Sequence, residues 1–301
     1  MRISANQRIY VLLRLPAFIR NELVLLWRFN RYDISSTLIP GLMFMVAAWH
    51  QDQPDWSALP RLLVWGTIYF WLYCTVFCIS NQLNSVTEDQ QNKPDRPIPS
   101  GLVSPKGAFI RWVISCIIFA LVGWHLGVLE WATLWLFALI LHNFGGFSRH
   151  YSTKNIIMTI GGIAQLAAAW QMVRPLNATA WIWILLPTLT FLTHISLQDL
   201  RDRAGDQSQG RRTLPIVFGE QRSRTFLAIA FLLLPLIVHF GLFDRTGLSL
   251  GGILFDAILA ALCVIIAVRV LWLRHRDADH VSYMLYTYWY CFLLAAAIVV
   301  L

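Results

Sequence analysis

The stretch Leu62–Asn84, LLVWGTIYFWLYCTVFCISNQLN, decides the fold because it is apolar for most of its length and carries no charged residue. A helix needs about 20 such residues to cross the hydrocarbon core of a bilayer. Similar apolar runs recur along the chain and predict nine membrane spans, at about 35–49, 62–84, 107–129, 131–147, 155–173, 181–199, 224–243, 252–273 and 282–301. Only 13% of the residues are charged, against about 25% in soluble domains. The sequence therefore predicts an all-α integral membrane protein.

Basic residues are distributed unevenly between the two ends of these spans. With the N-terminus inside, 21 of the 24 Lys and Arg residues fall on inner segments or beside them, which leaves Arg61, Arg174 and Arg245 outside. Lys and Arg accumulate on the cytoplasmic side of membrane proteins. We therefore expect an inside N-terminus and an outside C-terminus. The net charge of +8 then reflects topology and contact with anionic lipid, and no nucleic-acid partner is expected.

Residues 1–33 differ from the rest of the chain because arginine recurs at positions 2, 8, 14, 20, 28 and 31 among apolar residues. The segment has no uncharged core of the length that a signal peptide requires. This pattern predicts a helix lying on the membrane surface. No low-complexity linker divides the chain, so residues 1–301 are expected to form one domain.

Polar residues that follow the second predicted span are spaced for metal binding. Asn81, Ser85 and Asp89 are four residues apart and would share one face of a helix running inward. All three offer oxygen ligands, which Mg²⁺ prefers, and Glu88 lies next to the same face. A Pro-rich turn then supplies two cations suited to diphosphate oxygens, Lys93 and Arg96.

A second polar segment carries Asp199, Asp202 and Asp206 at i, i+3 and i+7, again on one helix face. Carboxylates so close repel one another unless a cation or protons intervene. Arg201 and Arg203 lie between them, and we expect their side chains to point elsewhere, as candidate ionic partners. Charges at a helix end are usually a solvated face. Two clusters on the same predicted side, each following an apolar span, favour a functional site instead.

Residues 81–101, NQLNSVTEDQQNKPDRPIPSG, resemble the first aspartate-rich motif of the UbiA superfamily of intramembrane prenyltransferases. Residues 199–215, DLRDRAGDQSQGRRTLP, are similar to the second motif of that family. Tyr151-Ser152 and Lys154 resemble its polar loop between the fourth and fifth helices. The resemblance covers most of the chain.

This resemblance implies a helical bundle around a central cavity in which Mg²⁺ ions bind an isoprenyl diphosphate. Ionisation of that substrate gives an allylic carbocation, which in most members is captured by an aromatic or quinone-precursor acceptor. The implied metal ligands are Asn81, Ser85, Glu88, Asp89, Asp199, Asp202 and Asp206, with Asn81, Ser85, Asp89, Asp202 and Asp206 as the catalytic set. The implied diphosphate-binding residues are Lys93, Arg96, Arg149, Tyr151, Lys154 and Arg201.

One departure from the family pattern bears on the reaction. Ser85 stands where the pattern has Asp, and the Asn-x₃-Ser-x₃-acid triad resembles the second metal site of soluble class I terpene synthases. The segments AQLAAAW at 164–170 and YTYWY at 286–290 resemble the fungal branch that includes UbiA-type terpene cyclases. The first hypothesis is therefore a Mg²⁺-dependent terpene cyclase, and the second a prenyltransferase with an aromatic or other acceptor. A transporter is disfavoured because transporter sites lie near the bilayer midplane.

Several residues inside the predicted spans are candidates for the cavity. Six aromatic rings would offer their faces to a carbocation: Trp71, Phe77, Trp170, Phe191, Tyr286 and Trp289. For any single ring, ordinary membrane packing explains its presence better. His142 and Asn143 lie near the inner end of the fourth span and are placed to reach the diphosphate. The five cysteines form no CxxC pair, which indicates packing residues and no metal site.

Overall fold

The computed structural model describes residues 5–51, 55–246 and 249–301, and these residues contain helices and no strand. The α-helices are α1 Ala5–Asn30, α2 Leu38–His50, α3 Leu59–Asn84, α4 Val86–Asn92, α5 Pro105–His125, α6 Leu129–Leu139, α7 Tyr151–Gln171, α8 Ala178–Leu189, α9 Leu197–Ser208, α10 Leu214–Phe218, α11 Glu220–Val238, α12 Asp244–Thr246, α13 Leu250–Trp272 and α14 Arg276–Val300. The predicted all-α fold is confirmed.

Short segments of other helix types join several of these helices. π-Helical turns extend α6 over Ile140–Phe144 and α11 over His239–Phe243. 3₁₀ turns at Phe147–Arg149, Thr190–Leu192 and His194–Ser196 lead into α7 and α9. π-Helical turns inside longer helices are rare and often lie at functional sites, so the turn after α6 bears on the site described below.

Capping side chains set where several helices begin. The hydroxyl of Ser104 accepts a hydrogen bond from the Gly107 amide at 3.1 Å, and Asn177 accepts one from the Ala180 amide at 2.8 Å. Ser249 does the same at the start of α13, where its hydroxyl lies 3.0 Å from the Gly252 amide. Each contact satisfies an amide that has no partner within its own helix. The chain turns at these points are therefore encoded locally.

The long helices close into a ring. α3 packs on α5, α5 on α6, α6 on α7 and α7 on α8, while α11 packs on α13 and α13 on α14. α8 packs on the π-helical turn that extends α11, α14 packs on α2, and α2 packs on α3, which completes the ring. α9 lies against α14 and α4, so both polar segments reach the same end of the bundle. The ring arrangement places a cavity between the helices.

The outer surface of the ring is apolar. Ile114, Ile117 and Leu121 of α5 are 50%, 56% and 57% exposed, and Leu233 and Leu236 of α11 are 51% and 55% exposed. Apolar stripes of this size on successive helices are costly in water and suit lipid. The chain is therefore an integral membrane protein.

The length and composition of the helices test the number of spans. Within the described residues, five helices are long and apolar enough to cross a membrane, at Leu59–Asn84, Pro105–His125, Glu220–Phe243, Leu250–Trp272 and Arg276–Val300. A sixth arises if Ala178–Leu192 and His194–Ser208, bent by 42°, count as one span. α2 and α6 are shorter, and α7 is long enough but less apolar. Each of the nine predicted segments coincides with a helix, and the count of nine spans stays a prediction.

The predicted surface helix at the N-terminus corresponds to α1, which packs against α3. Phe18, Leu23 and Trp27 of α1 are at least half exposed, whereas Phe29 is buried. Asn30 is also buried, and its side-chain amide donates to the Thr75 hydroxyl at 2.7 Å. Residues 1–4 lie outside the described residues. The position of α1 at the membrane surface stays a prediction.

The topology can be tested with single cysteines introduced at Arg203 and Asp244 in a chain whose five native cysteines are replaced. Both positions are exposed, and α11 separates them. We expect a membrane-impermeant thiol reagent to label residue 203 only from the cytoplasmic side and residue 244 only from the opposite side. Cysteine at Arg222 is the control and should behave like residue 203. Labelling of residues 203 and 244 from one side would contradict a crossing by α11.

Candidate active site

A cavity of about 180 Å³ lies inside the ring, where the two polar segments meet. α3, α4, α7, α9 and α14 all contribute to its wall. Charged side chains are concentrated among its lining residues: Asp33, Glu88, Asp89, Lys93, Arg96, Lys154, Asp202, Asp206 and Arg211. Polar segments predicted separately from the sequence thus line one site.

The first motif spans a break between two helices. α3 ends at Asn84 and α4 begins at Val86, so Ser85 sits between them. Backbone hydrogen bonds nevertheless continue, from the Ser85 amide to the Asn81 carbonyl at 3.0 Å and from the Asp89 amide to the Ser85 carbonyl at 2.8 Å. The Ser85 hydroxyl lies 2.7 Å from the Asn81 carbonyl oxygen and 3.2 Å from Asp89 Oδ2. The three residues therefore stay together as predicted, although the helix is interrupted.

Arg96 holds the carboxylate of the first motif. One guanidinium nitrogen lies 2.9 Å from both carboxylate oxygens of Asp89 and 3.4 Å from Asn81 Oδ1. Another lies 3.9 Å from Asp33. Burial lowers the pKa of Arg96, but the carboxylates of Asp89 and Asp33 outweigh burial and raise the pKa overall. Arg96 is thus a permanent cation at the cavity wall.

The second motif lies on α9, and each of its carboxylates has a cationic partner. Asp199 pairs with Lys154, and Asp206 lies 3.1 Å from Arg211. Asp202 receives two hydrogen bonds from Arg201, at 2.7 and 2.8 Å. The expectation that Arg201 points away from the acids is therefore wrong. Its neighbour Arg203 does point away, toward the partly exposed Glu220.

Arg211 joins the two motifs. Its guanidinium lies 2.7 Å from Glu88 on α4 and 3.1 Å from Asp206 on α9. Burial raises the pKa of Glu88, and the positive charge of Arg211 opposes that rise. Sequence reasoning gave Arg211 no role. The available signal was its place in the GRRTLP stretch directly after the second motif.

Two further residues at the charged end were missed. Asp33 lines the cavity from the end of the segment predicted to lie on the surface, and it accepts a hydrogen bond from the Cys78 thiol at 3.3 Å. Tyr283 lines it from α14, and the guanidinium of Arg201 lies 5.2 Å from the centre of its ring. The sequence around Asp33 and Tyr283 contains no motif or spacing that marks them as cavity residues.

The remaining predicted site residues lie at different distances from the cavity. Asn81, Lys93 and Lys154 line it, and burial lowers the pKa of Lys93. Ser85, Asp199 and Arg201 stand behind lining residues and contact them. Arg149 is exposed and is absent from the lining, and Tyr151 lines a separate cavity of about 430 Å³ beside Asn155 and Phe218.

The oxygen ligands at the cavity suit Mg²⁺, provided that the substrate supplies further ligands. Among the described residues, no three carboxylate, imidazole or thiol groups are grouped closely enough to hold a metal by themselves. Buried carboxylate oxygens of Asp199 and Asp206 nevertheless lack hydrogen-bond partners. Mg²⁺ is commonly bound by one or two carboxylates together with substrate phosphates and water. Such a site matches one acidic cluster on α4 and another on α9.

Away from the charged end, aromatic rings line the cavity. Tyr73 and Trp135 stack with ring centres 4.6 Å apart, and Phe191 lies 5.1 Å from Tyr290. Of the six rings proposed from sequence, Phe77, Phe191 and Tyr286 line the cavity, whereas Trp71, Trp170 and Trp289 do not. Sequence reasoning missed four lining rings: Tyr73, Trp135, Tyr283 and Tyr290.

Comparison with known proteins agrees with this arrangement. The sequence profile of the UbiA prenyltransferase family matches residues 37–300. A somaliensene A/B synthase of Streptomyces somaliensis is 39% identical, over 92% of this chain and 93% of that protein. Two proteins of Hericium erinaceus are similar: the diterpene cyclase eriG, at 37% identity over 92% and 88%, and the polyprenyl transferase eriF, at 35% identity over 93% and 96%.

A solved structure shares the fold. A UbiA homolog from Archaeoglobus fulgidus, bound to GPP and Mg²⁺, matches with a TM-score of 0.66 and 14% identity. The match covers 92% of this chain and 100% of that one. The described helices and the ring they form are therefore an established architecture.

Replacing Asp202 or Asp206 with asparagine should lower turnover of a prenyl diphosphate by roughly 100-fold, equivalent to about 2.7 kcal/mol. Each change removes an anion from the cavity wall and keeps the side-chain size. The exposed Asp277 supplies the control, since Asp277→Asn should leave turnover near normal. Diphosphate release would be measured at saturating Mg²⁺, with thermal unfolding as a check on folding. Near-normal turnover in both cavity variants would remove them from the site.

Proposed function

The chain belongs to the UbiA prenyltransferase family, and on that premise we propose that it ionises an isoprenyl diphosphate with Mg²⁺ and cyclises the resulting allylic carbocation to a terpene. The observation that carries this proposal is the composition of one continuous cavity. Its charged end presents carboxylates and cations, and its interior presents aromatic rings. A prenyl diphosphate has the same two parts, an anionic head and an apolar chain.

The charged end suits the diphosphate head. Lys93, Arg96, Lys154 and Arg211 are the cations that line it, and each is a candidate to hold the diphosphate oxygens. Asp89 and Asp206 would each hold one Mg²⁺, assisted by neighbouring oxygen ligands. Bound Mg²⁺ would stabilise negative charge on the leaving diphosphate. The chain's own cations add to that stabilisation without needing to reorganise.

The aromatic interior suits a carbocation that reacts with its own chain. The hydroxyl of Tyr73 donates to the Gly161 carbonyl at 2.9 Å, and that of Tyr286 lies 2.8 Å from the Thr190 hydroxyl. The Gln165 amide donates to the Thr37 carbonyl. These polar tips are occupied by protein partners, so the rings offer mainly their faces to a guest. Ring faces attract a cation by about 0.5–2 kcal/mol each and also exclude water.

The alternative is a prenyltransferase that passes the carbocation to a second substrate. The similarity to a polyprenyl transferase keeps this alternative open. A phenolic acceptor would require unoccupied hydrogen-bonding groups in the interior. The tips of Tyr73, Tyr286 and Gln165 are engaged. The Tyr290 hydroxyl and His142 Nε2 are without partners, so the interior by itself does not decide between the two functions. Similarity to a somaliensene synthase and a diterpene cyclase supports cyclisation.

We further propose that the charged end of the cavity faces the cytoplasm. It lies beside the segments that hold most of the Lys and Arg residues. The diphosphate head would then enter from the aqueous side, with the prenyl chain in the bundle. Membrane lipid would surround the apolar outer face.

Supplying a prenyl diphosphate alone separates the two candidate functions. Geranyl, farnesyl, geranylgeranyl and geranylfarnesyl diphosphates would each be incubated with purified enzyme and Mg²⁺ in detergent or lipid. We expect at least one to yield a cyclic hydrocarbon or terpene alcohol together with free diphosphate. Turnover that appears only after an aromatic acceptor is added would favour the prenyltransferase. The Asp206→Asn variant controls for spontaneous hydrolysis.

Ser85 tests the choice of cyclase. Ser85→Ala removes an oxygen ligand and should weaken Mg²⁺ binding by about 1–3 kcal/mol, with partial rescue at higher Mg²⁺. Ser85→Asp adds an anion and should strengthen Mg²⁺ binding. The exposed Ser100, in the same loop, is the control, and Ser100→Ala should leave the Mg²⁺ dependence unchanged. The readout is the Mg²⁺ concentration that gives half-maximal turnover. Full activity of Ser85→Ala with unchanged Mg²⁺ dependence would make acceptor prenylation the preferred function.

A further inference from the structure

His142 lines the same cavity from the π-helical turn Ile140–Phe144 that follows α6. Its side chain is buried, being only 4% exposed. Its Nδ1 lies 2.8 Å from Asn143 Oδ1, whereas its Nε2 is buried and has no hydrogen-bond partner. A buried ring nitrogen without a partner is costly unless a ligand or reactant uses it. This atom therefore requires an explanation.

A chain of hydrogen bonds fixes which nitrogen carries the proton. The Ser80 hydroxyl donates to a backbone carbonyl of its own helix, 2.8 Å away at Val76 or 3.0 Å at Phe77. Its oxygen is then free to accept the Asn143 amide N–H, at 2.7 Å. The amide nitrogen of Asn143 thus faces Ser80, and its oxygen faces His142.

An amide oxygen can only accept a hydrogen bond, so His142 Nδ1 must carry the proton. In a neutral imidazole the other nitrogen then holds a lone pair. The relay from the α3 backbone through Ser80 and Asn143 therefore makes Nε2 the basic nitrogen and leaves it without a partner, on a side chain that lines the cavity. We propose that His142 Nε2 accepts the proton that ends carbocation cyclisation, an inference that rests on the proposed function.

The proposed step is a simple elimination. A C–H bond adjacent to the cationic carbon breaks, and its electron pair forms a C=C bond. The proton passes to Nε2 and gives an imidazolium ion, which returns it to the released diphosphate or to water. The whole reaction converts the prenyl diphosphate into a terpene hydrocarbon, diphosphate and one proton, so charge and atoms balance.

Another group at the cavity competes for this role. The Tyr290 hydroxyl is also buried without a partner. A phenol oxygen is a far weaker base than a neutral imidazole nitrogen, since only the imidazole readily accepts a proton near neutral pH. Phe77 lies 6.2 Å from the His142 ring, so the base stands beside an aromatic face suited to the cation. An aromatic face that attracts the cation thus lies beside a strong base, and this favours His142 over Tyr290 as the proton acceptor.

Removing the base should change the product rather than the ionisation. His142→Ala and His142→Phe should still ionise the preferred donor, because ionisation precedes the proton transfer. The share of the wild-type main product in the mixture should fall at least tenfold. Terpenes formed by earlier loss of a proton, or by capture of water, should replace it. Asn143→Leu removes the hydrogen bond that keeps the proton on His142 Nδ1. It should shift the product mixture in the same direction by a smaller amount. Added imidazole should restore the wild-type product in His142→Ala.

His194 provides the matched control. It is also buried, and its Nε2 is likewise without a partner, but it does not line the cavity. His194→Ala should keep the wild-type product mixture, and thermal unfolding would verify that every variant folds. An unchanged product mixture in folded His142→Phe would overturn the role of His142, and so would a shift in His142→Ala that imidazole does not reverse. Either result would leave the proposed cyclisation unaffected. A wild-type enzyme that releases no diphosphate from donor alone would overturn both.

Discussion

The site depends on neutralising several carboxylates that the fold brings together inside a membrane bundle. Burying a charge in a medium of low polarity costs several kcal/mol unless a partner compensates it. Arg211 meets this constraint between α4 and α9, where Glu88 and Asp206 would otherwise face each other unpaired. Arg96, Arg201 and Lys154 do the same for the remaining acids. The charged end can therefore stay assembled before substrate arrives.

This constraint also explains how substrate and metal could enter. Arg96, Lys154 and Arg211 at the wall are held by carboxylates that divalent cations would also bind. If Mg²⁺ bound together with a diphosphate, as proposed, positive charge would come to the acids while negative charge would come to the guanidinium and ammonium groups. Partners can then exchange without leaving a buried charge alone. The free energy of binding would then be the difference between the two sets of ion pairs.

Much of this arrangement was predictable, because membrane helices must satisfy their backbone internally and show long apolar runs. The i, i+4 spacing of Asn81, Ser85 and Asp89 placed them together correctly, and helix geometry likewise put the acids of α9 on one face. What the spacing could not show was the pairing of Arg201 with Asp202, since neighbouring side chains are free to curl toward each other. Nor could it show that Asp33 joins the site, since that contact depends on how the chain turns between α1 and α2.

The apolar outer face and the charged inner end give the reaction two exits of opposite character. A terpene hydrocarbon formed among aromatic rings partitions into the surrounding lipid, where its concentration near the enzyme falls by dilution. Diphosphate partitions into water at the other end. Products that dissolve in different phases rarely meet, so their recombination is slow. The membrane thus acts as an extraction solvent that keeps the two products apart.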